Sequence, residues 1–214
     1  MQSLSDIKVI LGSRSPRKRE LLSLLVPNTS IEVLPPRDAN EASLAELRTV
    51  ASIEVTLMEI ARSKGRDVLE QIATSKPELA GETTFIVTGD TTIVVTDAHA
   101  PLALEQPPDD ATWSDVVRHW FRNYYAGRTH QAVSAICVQT LAGKCLERLV
   151  HTEVTFIDDV EPLLDWYIST GEPRGKAGGY AIQGAGSLFI ASVKGSISNV
   201  VGLPLEALRE MLKL

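Results

Sequence analysis

The segment Phe85 to Val95, FIVTGDTTIVV, sets one acid inside a run of β-branched residues. A carboxylate is out of place in a buried strand unless it is paired or bound to a metal, which makes Asp90 the best single candidate for chemistry. A turn aspartate capping a hairpin is the other reading, and Gly89 beside it permits a bulge or a close backbone approach. The pair Gly89 and Asp90 is therefore expected to interrupt the strand. A second unusual set is cationic: Arg14, Arg17, Lys18 and Arg19 crowd the first turn of a helix opened by Ser15 and Pro16. The helix dipole and unpaired N–H groups there favour anions, so either the cations splay into water or an anion such as phosphate resolves the conflict. The spacing is not that of a Walker A loop.

Three further residues could serve such an anion or its remainder. Gly171 to Ile190, GEPRGKAGGYAIQGAGSLFI, holds six glycines and two cations, and Lys176 stands where a glycine-rich backbone could present it to a phosphate. A flexible surface loop is the alternative. Gln183 enters between apolar residues read as strand, and its amide could meet a base edge or a backbone group. Lys64 follows Ile60 by four and precedes Val68 by four on an apolar stripe, so its ammonium either snorkels out or points into a cleft. Glu41, taken alone, reads as a solvated loop acid.

These residues need elements to position them. The apolar Val9 to Leu11 reads as a strand feeding Gly12, Ser13 and the first helix, with Ser15 as N-cap and Pro16 at the first helical position. Ile31 to Leu34 reads as a short strand and Pro35 to Glu41 as a loop. A helix follows from Leu44 to about Ile72, then the Phe85 to Val95 strand and a loop over Pro101 to Asp110. Asp110 or Thr112 can cap a helix over Trp113 to Tyr125 that Gly127 ends, with Trp113, Val117, Trp120 and Tyr124 as its packing face. His130 to Thr140 and Cys145 to Ile157 read as a hairpin turning near Ala142, Gly143 and Lys144, with His130 structural. Val160 to Thr170 reads as a helix, Ser187 to Val193 as a strand, and Pro204 begins a terminal amphipathic helix.

The chain has 214 residues, enough for one domain, residues 1 to 214, with two lobes and a cleft. Acidic residues outnumber basic ones 27 to 21, a net charge of −6, which argues against broad binding of nucleic acid or anionic membrane. The cations must then act locally. No apolar run approaches the ~20 residues of a membrane span, and Met1 to Asp6 is no signal peptide, so a soluble, cytoplasmic protein is expected. Cys137 and Cys145 could face each other across the hairpin, and free thiols are expected in an intracellular chain. Their spacing makes a poor zinc site.

GSRSPRKRELL, TGDTTIVV, EPRGKAGGYAIQG and GSISNVVGLPL occur together, with IARSKG and AGRTHQAVS between them. The combination resembles the Maf family, the septum-formation proteins that are nucleoside triphosphate pyrophosphatases. That resemblance implies a mixed α/β fold, an elongated sheet with flanking helices and two lobes around a central cleft, related to the inosine triphosphate pyrophosphatases, and a homodimer. It implies a hydrolase that splits a nucleoside triphosphate into monophosphate and pyrophosphate with Mg²⁺ or Mn²⁺, and no nucleic-acid or membrane partner. Carried over by residue, it puts Ser13, Arg17 and Lys18 on the substrate and Lys64 beside the triphosphate. Asp90 becomes metal-binding acid or general base, Glu41 a second metal-binding acid, and Lys176 a phosphate contact. Thr91 and Gln183 look like the branch acting on dTTP, UTP and CTP. One departure stands out: Glu105, Gln106, Pro107 replaces the usual Glu-Lys-Pro, so either a neighbouring cation substitutes or the rate suffers. A non-catalytic nucleotide-binding regulator of cell division is the rival reading, and the retained Asp90, Lys64 and Lys176 argue against it.

Overall fold

The computed structural model describes residues 7–38, 42–81 and 84–213. The β-branched segments form strands β1 (Lys8–Leu11), β2 (Ile31–Val33), β3 (Thr84–Asp97), β4 (Ala100–Leu104), β5 (Thr129–Thr140), β6 (Cys145–Phe156) and β7 (Ile190–Lys194). They make one mixed sheet in the order β2-β1-β3-β5-β6-β7, with β4 paired to β3. β1 runs parallel to β2 and β3, and the other pairings are antiparallel. The flanking helices are α1 (Pro16–Leu22), α2 (Val50–Ser75), α3 (Trp113–Trp120), α4 (Glu161–Ser169), α5 (Ile197–Val201) and α6 (Leu205–Leu212). One lobe packs α1 and α6 on β1 through Leu11, Leu22, Leu208 and Met211. The other gathers Val117, Phe121, Tyr125, Phe156 and Tyr167 around the far half of β3.

β3 explains why a cleft lies between the lobes. One edge pairs with β5 from Phe85 to Val94. The opposite edge pairs with β1 over residues 84–87 and with β4 over 93–97. Among the described residues, no strand covers Thr88 to Thr92 on that edge, and Asp90 is at the centre of the gap. The strand is continuous through Gly89 and Asp90, contrary to the expected interruption. Glycine is what allows it, because a Cβ at 89 would meet the Ala135 carbonyl oxygen at 2.7 Å.

Several boundaries differ from the sequence reading, each for a local reason. α2 begins at Val50 because Thr49 caps it, accepting from the Ser52 amide at 3.1 Å, while Leu44 reaches the core ahead of the helix. The loop expected over Pro101 to Asp110 begins with β4, which returns from β3 through Ala98 and His99, both at positive φ. That two-residue turn lacks the Asn-Gly or Asp-Gly signal that normally announces it. The helix from Trp113 ends in a π-helical turn, Phe121–Tyr125, which buries Phe121 and Tyr125 more deeply than the expected Trp120 and Tyr124. Ser187 to Phe189 belongs to a 3-10 turn, so β7 starts only at Ile190. α5 was not foreseen. It is pinned by the buried Asn199, whose amide donates to the Ala132 carbonyl at 3.0 Å and to Thr152 Oγ1 at 3.0 Å.

Candidate active site

The gap in β3 opens into a cleft of about 630 Å³. Ser13, Arg17 and Lys18 enter it from the β1–α1 junction, Lys64 from α2, Asp90 and Thr91 from β3, and Lys176 and Gln183 from the glycine-rich segment. Every candidate residue except Glu41, which lies outside the described residues, therefore lines one space. Two residues that sequence reasoning did not single out join them, Arg174 and Asp38.

The cationic first turn is resolved residue by residue. Ser15 stands at the N-cap, but its side chain makes no capping bond, and its amide instead donates to Ser13 Oγ at 3.2 Å. Arg14 donates to the Pro36 carbonyl at 2.7 Å on the cleft wall. Lys18 is buried at 8 % exposure, its ammonium donating to the Gly89 carbonyl at 2.7 Å and standing 4.0 Å from Asp90 Oδ1. Arg17 remains in the cleft, where burial lowers its pKa.

Asp90 is held between two ammonium groups, with Lys64 Nζ at 3.0 Å from the same Oδ1 that Lys18 approaches. This geometry chooses between the two readings of Lys64: it points into the cleft. The glycine-rich segment is stapled and not loose. Tyr125 donates to the Gly178 carbonyl at 2.8 Å, the Gly178 amide donates to the Glu105 carbonyl at 3.0 Å, and Glu172 accepts from the Ala185 and Gly186 amides at 2.8 Å each. Lys176 is lowered by burial and then by the Arg17 charge, so two cations press on each other across the space.

Two candidates differ in detail from expectation. Gln183 lies in an exposed turn on the cleft wall and not in a strand. The Thr91 hydroxyl shares a 2.7 Å hydrogen bond with Ser134 and donates to the Gly202 carbonyl at 3.2 Å, tying the end of α5 to β3. His130 is structural as expected: it is buried, bonded to the Tyr180 hydroxyl at 2.8 Å, and its pKa is pushed down to about 3 by burial. Gln106 lines the cleft without a charge, and Arg174 also lines it, held to Asp109 at 2.7 Å and over the Trp113 ring at 5.6 Å.

Two carboxylates, Asp90 and Asp38, offer the cleft oxygen ligands of the kind Mg²⁺ or Mn²⁺ takes, usually with one or two carboxylates and the substrate's own phosphates. The residues fit such an ion. Among the described residues, the cluster of three ligand-type side chains within 4.8 Å is elsewhere, on the hairpin: Cys137, Cys145 and Glu147.

A family model described as Maf-like protein matches residues 8–214. The chain belongs to the Maf-like protein family. Relatives named dTTP/UTP pyrophosphatase include one from Anaeromyxobacter dehalogenans, 34 % identical over 96 % of this chain and 93 % of its own length. Another, from Pyrococcus horikoshii, is 34 % identical over 96 % of both chains, and one from Chelativorans sp. is 35 % identical over 92 % of this chain and 86 % of its own. Among solved structures, a HAM1 protein from Coxiella burnetii is similar over 72 % of this chain and 74 % of that one, at 12 % identity and a TM-score of 0.43. In this Maf-like chain GSRSPRKRELL, IARSKG, TGDTTIVV, EPRGKAGGYAIQG and GSISNVVGLPL each place residues on the cleft wall.

Proposed function

We propose that the chain is a nucleoside triphosphate pyrophosphatase of one domain, acting on dTTP, UTP or CTP. The observation that carries this reading is electrostatic. Among the described residues, six cations, Arg14, Arg17, Lys18, Lys64, Arg174 and Lys176, line a cleft with two carboxylates, in a chain whose net charge is −6. Burial lowers the pKa of Arg17, and burial followed by the Arg17 charge lowers that of Lys176, as expected of a site built for a polyanion. The relatives' names supply the substrate class.

In this reading Arg17, Lys176 and Arg174 bind the phosphates, and Arg174 offsets the missing charge at Gln106. Lys18 and Lys64 fix the Asp90 carboxylate. Asp90 takes a proton from water as the water oxygen attacks the α-phosphorus, the bond to the bridging oxygen breaks, and pyrophosphate leaves from a nucleoside monophosphate. Asp90, with Glu41 as the second expected acid, would hold Mg²⁺ or Mn²⁺, which as a Lewis acid would neutralise charge on the phosphates. Gln183 meets the pyrimidine edge, and Thr91 orders the wall behind it. A homodimer and a cytoplasmic location complete the proposal. Exposed Trp166 and Leu188 offer apolar surface to a second copy, and among the described residues no helix is long and apolar enough to cross a membrane.

The test is a screen of canonical and modified nucleotides with each metal, reading monophosphate and pyrophosphate separately from orthophosphate. Asp90→Asn should lower kcat by about 10²–10⁴-fold with the fold intact by circular dichroism. A folded Asp90→Asn protein within a few-fold of the parent rate would overturn the assignment.

A further inference from the structure

Away from the cleft, Cys137 of β5 and Cys145 of β6 bring their sulfurs to 3.1 Å. They are not directly opposed: Cys137 pairs in register with Glu147 and Cys145 with Gln139, so the two lie diagonally across the hairpin. Cys137 is buried in the cluster that α2 builds with Leu57, Ile60 and Ala61, whereas Cys145 is exposed. Both carboxylate oxygens of Glu147 are taken by Arg62, each at 2.6 Å. That commitment weighs against a metal. So does the sulfur spacing, since two thiolates on one tetrahedral zinc ion stand roughly 3.7 Å apart.

We propose that Cys137 and Cys145 form a dithiol that hydrogen peroxide oxidises to an intrachain disulfide and that small thiols reduce again. The inference is independent of the nucleotide reading. Cys145, the exposed thiol, attacks the peroxide as its thiolate; the O–O bond breaks, water leaves after taking up the proton, and Cys145 becomes a sulfenic acid. The Cys137 sulfur then attacks Cys145 sulfur, the S–S bond forms, the S–O bond breaks, and the Cys137 proton leaves with hydroxide as a second water. Two thiols lose two electrons to the peroxide. Burial, followed by the contact with Cys145, raises the Cys137 pKa, which suits it to the second step and not the first. Diagonal partners generally have α-carbons roughly 7–8 Å apart, beyond the usual disulfide span of about 4.4–6.8 Å, so closing the bond requires the two strands to shift locally.

These are the chain's only two cysteines, so the mass of the whole protein reads the state directly. The protein is treated with a small excess of hydrogen peroxide, quenched, denatured and alkylated with a maleimide. The expected product is a monomer that has lost two hydrogens and takes no maleimide, and dithiothreitol restores two alkylatable thiols. In Cys137→Ser, Cys145 should instead accumulate a dimedone adduct of its sulfenic acid. In Cys145→Ser, an exposed change that spares the core, Cys137 should stay a free thiol under the same dose. The proposal is overturned if the parent chain keeps two maleimide adducts, if Cys145 runs on to sulfinic acid while Cys137 stays free, or if the disulfide joins two chains. Stoichiometric zinc, retained through gel filtration and blocking closure, would overturn it in favour of a metal site.

Discussion

At the scale of single residues, similar side chains do different work. Lys18 and Lys64 are spent on Asp90 and on the strand that carries it, whereas Arg17 faces the open cleft. Arg17→Ala should therefore weaken binding of a non-hydrolysable nucleoside triphosphate by roughly ten- to a hundredfold, the value of a charge-assisted hydrogen bond of about 1.5–3 kcal/mol. Its melting temperature should barely move, because a cation leaves a helix N-terminus. Calorimetry on both quantities checks this, and a large stability loss at unchanged affinity would contradict it. Gln183 carries the selectivity prediction. A carboxamide can both donate to and accept from a pyrimidine edge, while an ionised glutamate cannot donate. Gln183→Glu should cut kcat/KM for dTTP or UTP by roughly five- to a hundredfold, about 1–3 kcal/mol, and spare GTP. Equal losses on both bases would make Gln183 a loop residue only. As cleft-lining residues, Asp90 and Lys64 were legible because a charge breaks an apolar pattern, and Lys176 because a glycine-rich backbone could present it to a phosphate. Arg174 was not, because its place in the sequence looks like that of any solvated surface cation, and only the folded chain puts it in the same cleft as Gln106.

At the scale of elements, long periodic segments were readable and junctions were not. The β5–β6 hairpin and α6 follow from alternation and helical spacing, whereas β4 hides behind a turn made by Ala98 and His99, whose positive φ no residue type announces. The same limit applied to the glycine-rich segment, where glycine content signals freedom but not what removes it. At Gly178, φ is +69° and a Cβ would meet Tyr125 Oη at 2.5 Å and Ile93 Cγ1 at 2.6 Å. At Gly175, φ is +66° with open space around it. Gly175→Ala should then cost only the left-handed backbone penalty of roughly 1–2 kcal/mol. Gly178→Ala should cost clearly more and also raise KM, because Lys176 is carried by the same turn. Thermal unfolding of the two variants side by side measures the difference, and equal losses would show that the Tyr125 contact yields freely.

At the scale of the molecule, acid tolerance is set in part by a residue outside the cleft. His130 has a folded pKa of about 3 against an ordinary 6.5, so the unfolded chain binds a proton that the folded chain refuses. Stability is full above pH 6.5 and is lost as pH falls below it, at up to roughly 1.4 kcal/mol per pH unit. The ion-paired carboxylates Glu59, Asp67 and Glu147 are lowered from values near 4, so their losses begin further down. Denaturant unfolding between pH 7 and 5 should show the histidine slope, and His130→Gln should flatten it. A slope unchanged in that variant would assign it elsewhere. The gap in β3 has a mechanical consequence of its own. A sheet normally carries load from strand to strand, yet here the edge at Thr88 to Thr92 is left open between β1 and β4, with the β1–α1 junction and the glycine-rich segment lining the cleft there. A triphosphate lying across that breach would act as a keystone, completing on this edge a span that β3, β5 and β6 already make on the other.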